Sequence, residues 1–180
     1  YVDAVENGSA NSTVNAIDPD IKIPANWKYS AGFTYDFALP NGLGDGYVLN
    51  GDILYTDIES SFAVQDISRV TTSNAPDGRP IYTPTFGSRT NDFLLTNGAE
   101  GSELVVSASL AKSYDDIGKW ADSLDWSIGY AYTQAENSAS QVSAIAFSNY
   151  TGTATTDPNN LPVTTSNYEI PHRVTMRVSW

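Results

Sequence analysis

Any imidazole chemistry in this 180-residue chain has to run through His172, its only histidine, which stands between Pro171 and Arg173. A serine hydrolase needs such a histidine beside a nucleophile and an orienting acid. No Gly-x-Ser-x-Gly motif accompanies it. His172 therefore reads as part of a loop-to-strand junction, and no catalytic residue is assigned. The acidic groups Asp18-Pro19-Asp20, Asp115-Asp116 and Asp157-Pro158-Asn159-Asn160 offer the oxygens that Ca²⁺ takes. None has the spaced ligands of an EF-hand, and Asp, Pro and Asn in this order build turns. No metal or cofactor site is assigned. The absence of cysteine excludes disulfides, thiolate metal sites and a cysteine nucleophile. A formal charge of -12 repels phosphate backbones, so nucleic acid is excluded as a partner.

With enzyme chemistry weakly encoded, the elements carry the argument. No apolar run approaches the roughly 20 residues of a membrane helix, but a membrane-spanning strand needs only about 10, half of them polar. The chain holds 11 Tyr and 4 Trp against 1 Met, a balance suited to β structure with aromatic belts. Alternation with a period of two dominates, and helical periodicity is nearly missing. Over 27–38, Trp27, Tyr29, Ala31, Phe33, Tyr35 and Phe37 oppose Lys28, Ser30, Gly32, Thr34 and Asp36. Successive side chains of a strand point to opposite faces, so one face is aromatic and the other polar.

Four further runs follow the same rule. Over 47–56, Tyr47, Leu49, Ile53 and Tyr55 oppose Asn50, Asp52 and Thr56, with Val48 and Leu54 as exceptions. Over 104–114, Leu104, Val106, Ala108 and Leu110 oppose Val105, Ser107, Ser109 and Ala111. Over 124–133, Leu124, Trp126, Ile128, Tyr130 and Tyr132 oppose Asp125, Ser127, Gly129, Ala131 and Thr133. Over 173–180, Val174, Met176, Val178 and Trp180 oppose Arg173, Thr175, Arg177 and Ser179. Short turns follow the first and third runs; long polar stretches, around 60–102 and 137–171, follow the second and fourth. Tight turns on one rim and long loops on the other are expected of an outer-membrane barrel.

The fold class expected is therefore all-β: antiparallel up-and-down transmembrane β-barrel strands. A soluble sandwich also alternates, but its core favours Val, Ile and Leu, whereas here Tyr and Trp crowd the strand ends. Trp27, Tyr29, Phe33, Tyr35, Tyr47 and Tyr55 are assigned to lipid-facing positions and aromatic girdles, as are Trp126, Tyr130, Tyr132 and Trp180. Asp36, Asp52, Asp125, Arg173 and Arg177 are lumen candidates. Tyr82, Phe86, Phe93, Phe147 and Tyr150 in the long stretches are candidates for ligand contact, because loops on a rigid scaffold carry binding. The partners expected are outer-membrane lipid and lipopolysaccharide.

The segments Asp77-Gly78-Arg79-Pro80-Ile81-Tyr82, Leu94-Leu95-Thr96-Asn97 and Ser166-Asn167-Tyr168-Glu169-Ile170-Pro171-His172-Arg173 resemble, in order and spacing, the barrel of TonB-dependent outer-membrane receptors, the Oar-like group in particular. Asp18-Pro19-Asp20-Ile21-Lys22, leading to Trp27, is similar to a strand entry in that family. The resemblance covers most of the chain. It implies a 22-stranded barrel with an N-terminal plug, energised through the TonB complex and importing a small nutrient across the outer membrane of a Gram-negative bacterium. These residues hold five or six spans and no plug, so they are expected to be a section of one β-barrel domain in a longer chain. A surface adhesin or envelope-organising barrel is the alternative function, and a soluble carbohydrate-binding β-sandwich the second alternative.

Overall fold

Alternation that is long enough to span is long enough to pair, and the five runs become strands in a computed structural model that describes residues 14–40, 44–85, 91–115, 123–138 and 140–180. The elements are β1 (Asn15–Ile17), β2 (Ala25–Leu39), β3 (Gly44–Asp66), β4 (Arg69–Asn74), β5 (Pro80–Pro84), β6 (Phe93–Gly98), β7 (Gly101–Asp115), β8 (Ser123–Asn137), α1 (Ala146–Gly152), β9 (Thr164–Thr165) and β10 (His172–Ser179). The chain is all-β in class, with large antiparallel sheets and, among the described residues, one short helix. It divides into two units.

The long-strand unit comprises Asn26–Ile58, Gly101–Glu136 and Thr165–Trp180. Its long strands pair in chain order: β2 with β3, β3 with β7, β7 with β8, and β8 with β10. The last three pairings are antiparallel. Across β2 and β3, Tyr29 meets Tyr55, Phe33 meets Gly51, Thr34 meets Asn50 and Phe37 meets Tyr47. Those partners run in reverse order, so this pair is antiparallel too. Register preserves parity across the sheet. Ile53 pairs with Val106, Val106 with Tyr132, and Tyr132 with His172. Leu49 pairs with Leu110, Leu110 with Ile128, and Ile128 with Met176. Apolar residues thereby gather on one face, with Asn50, Ser109, Gly129 and Thr175 in line on the other.

The short-strand unit comprises the residues up to Ala25, Glu59–Glu100 and Asn137–Thr164. Here β6 pairs antiparallel with residues 61–66 of β3, and β1 pairs parallel with β6. β4 and β5 form a separate hairpin with an irregularity between Thr71 and Ser73. The stretch 60–102, expected as loop, thus contains the end of β3, β4, β5 and β6. These strands are short and rich in Thr, Ser and Asn, so alternation does not reveal them; turn chemistry and pairing partners create them. The helix α1 spans seven residues, two turns at most, too few to print a 3.6 period.

Two glycines allow β2 and β3 to approach. The Phe33 ring lies over Gly51, within 2.5 Å of where a Cβ would stand, and Asp52 lies in the same way over Gly32. A Gly51→Val side chain would displace Phe33, and overpacking of this kind costs about 1–3 kcal/mol. The variant should unfold at correspondingly lower denaturant concentration, whereas a change at open Gly46→Asn, whose φ is +77°, should cost less than about 1 kcal/mol.

Candidate functional site

The apolar face of the long-strand unit is exposed. Trp27 is 62% and Met176 73% accessible, and Tyr29, Phe33, Tyr35, Ile53, Tyr55, Val106, Ile128, Tyr130, Val174, Val178 and Trp180 are exposed as well. Trp126 and Tyr132 are half-buried on this face. Tyr47 stands on it but is covered, with 5% accessibility, which corrects its assignment as an open girdle ring. The cause is lateral packing: Phe37 stacks on it at 5.5 Å, Trp126 meets it edge-on at 6.5 Å, and Lys112 Nζ lies 4.2 Å above its ring.

Lys112 was not distinguished by alternation alone. It sits on the apolar face opposite Tyr47 and Trp126 with 4% accessibility. Its ammonium donates to the Asp45 carbonyl and lies between the Tyr47 and Tyr114 rings. The signal was a lone cation where the rhythm calls for an apolar residue. On the opposite face Asp36, Asp52, Asp125, Arg173 and Arg177 are all exposed. A polar ladder joins three strands there: Thr34 Oγ1 donates to Asn50 Oδ1 at 2.8 Å, and Asn50 Nδ2 donates to Ser109 Oγ at 3.4 Å. His172 opens β10 with Nδ1 2.8 Å from the Tyr130 hydroxyl, and its ring rests against Tyr130 and Tyr132. The contacts of His172 are phenols of the neighbouring strand.

The short-strand unit gathers three of the loop candidates around a buried carboxylate. Asp66, at the end of β3, has 0% accessibility. Its Oδ1 accepts from the amide and hydroxyl of Ser68, and its Oδ2 accepts from the Asn91 amide at 3.2 Å and pairs with Arg69 Nε at 2.8 Å. Its backbone is held as well: the Asp66 amide donates to Asn159 Oδ1 at 2.8 Å, and Asn159 Nδ2 donates to the Asp66 carbonyl at 2.9 Å. Asn91 takes φ +71°, a conformation that asparagine tolerates better than most residues. The Asp66 carboxylate therefore gathers the β3–β4 turn and the segment before β6, and its backbone holds the turn at Asp157 through Asn159.

Tyr82 donates to Asp157 Oδ1 at 2.6 Å, and the Asn159 amide donates to the same oxygen at 3.0 Å. Burial and the bond to Asp157 raise the Tyr82 phenol above its usual range. Tyr150, on α1, buries its hydroxyl without a hydrogen-bond partner. Burial, then the nearby Asp66 charge, pushes its phenol up to about 12. Phe93 is 2% accessible and belongs to the core, with Phe147 and Tyr150 packed on it at 6.2 and 5.3 Å; this corrects its assignment as a loop contact. Its place in β6, rather than in a loop, is the reason. Phe147 is exposed, and Phe86 lies outside the described residues. A groove of about 590 Å³ opens beside this core, with Ile17, Leu95, Ile145 and Asn149 in its lining and no charged side chain.

The acidic turns hold backbone. Asp18 accepts from the Thr96 hydroxyl at 2.7 Å and the Asp20 amide at 3.0 Å, and those bonds lower its carboxyl below the usual range. Asp77 accepts from the Arg79 amide and pairs with its guanidinium at 2.7 Å, closing the β4–β5 turn at Gly78, and its carboxyl is lowered too. Among the described residues no group of three or more His, Cys, Asp or Glu is placed to hold a metal ion. No family model, no curated protein and no solved structure matches this chain.

Removal of the buried carboxylate, Asp66→Ala, leaves Arg69, Ser68 and Asn91 without their acceptor and should cost about 3 kcal/mol, measured by denaturant unfolding. The Tyr150 phenol titrates higher in the folded protein than the usual 10, so its contribution to stability is whole below pH 10 and is lost as pH rises towards 12. Tyr150→Phe should remove that loss, and at neutral pH should be neutral or stabilising by up to about 1 kcal/mol; unfolding midpoints across this pH range read both.

Proposed function

We propose that this chain supplies spans of the wall and external segments of an outer-membrane β-barrel, and that the barrel is a TonB-dependent receptor of the Oar-like group taking up a scarce nutrient. The observation that carries the barrel reading is the exposed apolar face running across five hydrogen-bonded strands, backed by a polar face. Apolar patches on soluble monomers rarely exceed a few hundred Å², and a sandwich would cover such a face with a second sheet. Hydrocarbon is the solvent that suits it.

The dimensions agree with that solvent. Trp27 and Phe37 lie about 33 Å apart along β2 at about 3.3 Å per residue. A tilt of about 40° reduces this to roughly 25 Å along the membrane normal, the height of the apolar band of such barrels. Trp27, Tyr29, Tyr55, Tyr130 and Tyr132 then mark one interface, and Tyr35, Phe37, Tyr114, Trp126 and Trp180 the other, where amphipathic rings meet headgroups and, on the outer side, lipopolysaccharide. The polar face becomes the lumen wall. The receptor assignment rests on the resemblance of the segments at Asp77–Tyr82 and Ser166–Arg173. On that reading a plug outside these residues meets the TonB complex, and Tyr82, Phe147 and Tyr150 are the residues that capture ligand.

The intact protein should fractionate with the outer membrane and run faster on gels when unheated. In liposomes, lipids brominated near the headgroup should quench Trp27, Trp126 and Trp180 more strongly than lipids brominated at the chain ends. Solubility without detergent together with unquenched tryptophans would refute the barrel. Failure of the intact protein to bind the periplasmic domain of TonB would remove the receptor assignment and leave the barrel standing.

A further inference from the structure

The outer edge of β10 carries a recognition pattern of its own. The Thr133 amide donates to the Pro171 carbonyl, and antiparallel rungs recur every second residue from there. Arg173, Thr175 and Arg177 therefore point their backbone groups at β8, while His172, Val174, Met176 and Val178 point theirs away. Among the described residues β10 pairs with β8 alone, so those outward amides and carbonyls have no strand partner. Val174 and Met176 are the most exposed apolar residues of the span after Trp180.

The polar face of the same strand carries two positive charges. Arg173 stands opposite Ala131 and Arg177 opposite Ser127, so neither has a carboxylate directly across on β8; Asp125 lies diagonal to Arg177 and lines the same pocket without forming an ion pair with it. Neither arginine has an ion pair among the described residues. Thr175, between them, lies over Gly129. In a chain of net charge -12, an edge strand with two unpaired arginines and no acid of its own is the exception.

We propose that a further strand of the same barrel wall covers this edge and alternates acidic with apolar residues. Its carboxylates, four residues apart, stand opposite Arg173 and Arg177, and its apolar side chains continue the row of Val174, Met176 and Val178. Backbone pairing supplies the adhesion, as in β-strand addition, and the charges select register, because a one-residue slip sets apolar side chains against both arginines and carboxylates in the apolar row. The inference rests on the barrel reading for the identity of the partner, and the charge pattern is independent of it.

A benzophenone amino acid at position 175 of the intact protein, irradiated in cells, tests this. The expected product is monomer-sized, linked to a peptide bearing two Asp or Glu four residues apart. Its yield should fall about tenfold or more with Arg173→Glu plus Arg177→Glu and stay within about twofold with Arg173→Lys plus Arg177→Lys. Reversal of the partner's acids to lysine should restore the link in the glutamate variant, which separates lost selection from lost folding. A dimer-sized product, a linked peptide without acids, or a yield indifferent to charge reversal overturns the proposal. Fractionation of the same cells keeps the two readings apart. The expected link in a protein absent from the outer membrane sinks the barrel alone, and correct fractionation with a wrong link sinks this inference alone.

Discussion

Hydrogen-bonded register carries a two-residue rhythm from one strand to the next, and the two faces of the long-strand unit exist only because that parity is never broken. Ile53, Val106, Tyr132 and His172 follow one another across four strands, as do Leu49, Leu110, Ile128 and Met176. A slip of one residue at any of these ladders would turn one strand's apolar row toward the polar side. The glycine contacts reinforce the choice between β2 and β3, because Phe33 and Asp52 each need the opposite strand to present no side chain directly beneath them.

The exception on the apolar face follows from the same register. Lys112 falls where Leu or Val is called for, and it is accommodated because the β3–β7 pairing brings Tyr47 and the Asp45 carbonyl to its ammonium, with Tyr114 two residues on in the same strand. A cation near the end of a strand keeps its charge close to polar groups while its stem lies against apolar ones. The covered Tyr47 is the other half of that arrangement.

In the short-strand unit the organising contact is ionic. Asp66 is hidden from solvent and satisfied by Ser68, Arg69 and Asn91, while Asn159 binds its backbone as a peptide would. A buried carboxylate is tolerated only when its lone pairs are filled, so segments far apart in the chain are held at one point. The same unit packs Phe147 and Tyr150 on Phe93 and ties Tyr82 to Asp157.

The five long strands were legible in the chain because period-two alternation sustained over eight or more residues has one structural solution, and their bounds differ from expectation mainly at the ends. β4, β5, β6 and α1 were not legible, since five to seven residues rich in Thr, Ser and Asn carry no rhythm of their own. Tyr82 and Tyr150 could be picked out as aromatic residues in polar stretches, but Phe93 looked the same and proved to be core. Asp66 and Arg69 gave no signal and Asn159 read only as part of a turn, because the partners stand up to 93 positions apart. What the chain by itself determined is therefore local and periodic: which residues are strand, and which side chains share a face. Tertiary structure alone decided where the short strands β1 and β6 pair, which ring is covered and which carboxylate is buried, because those depend on long-range pairing that no window of sequence contains.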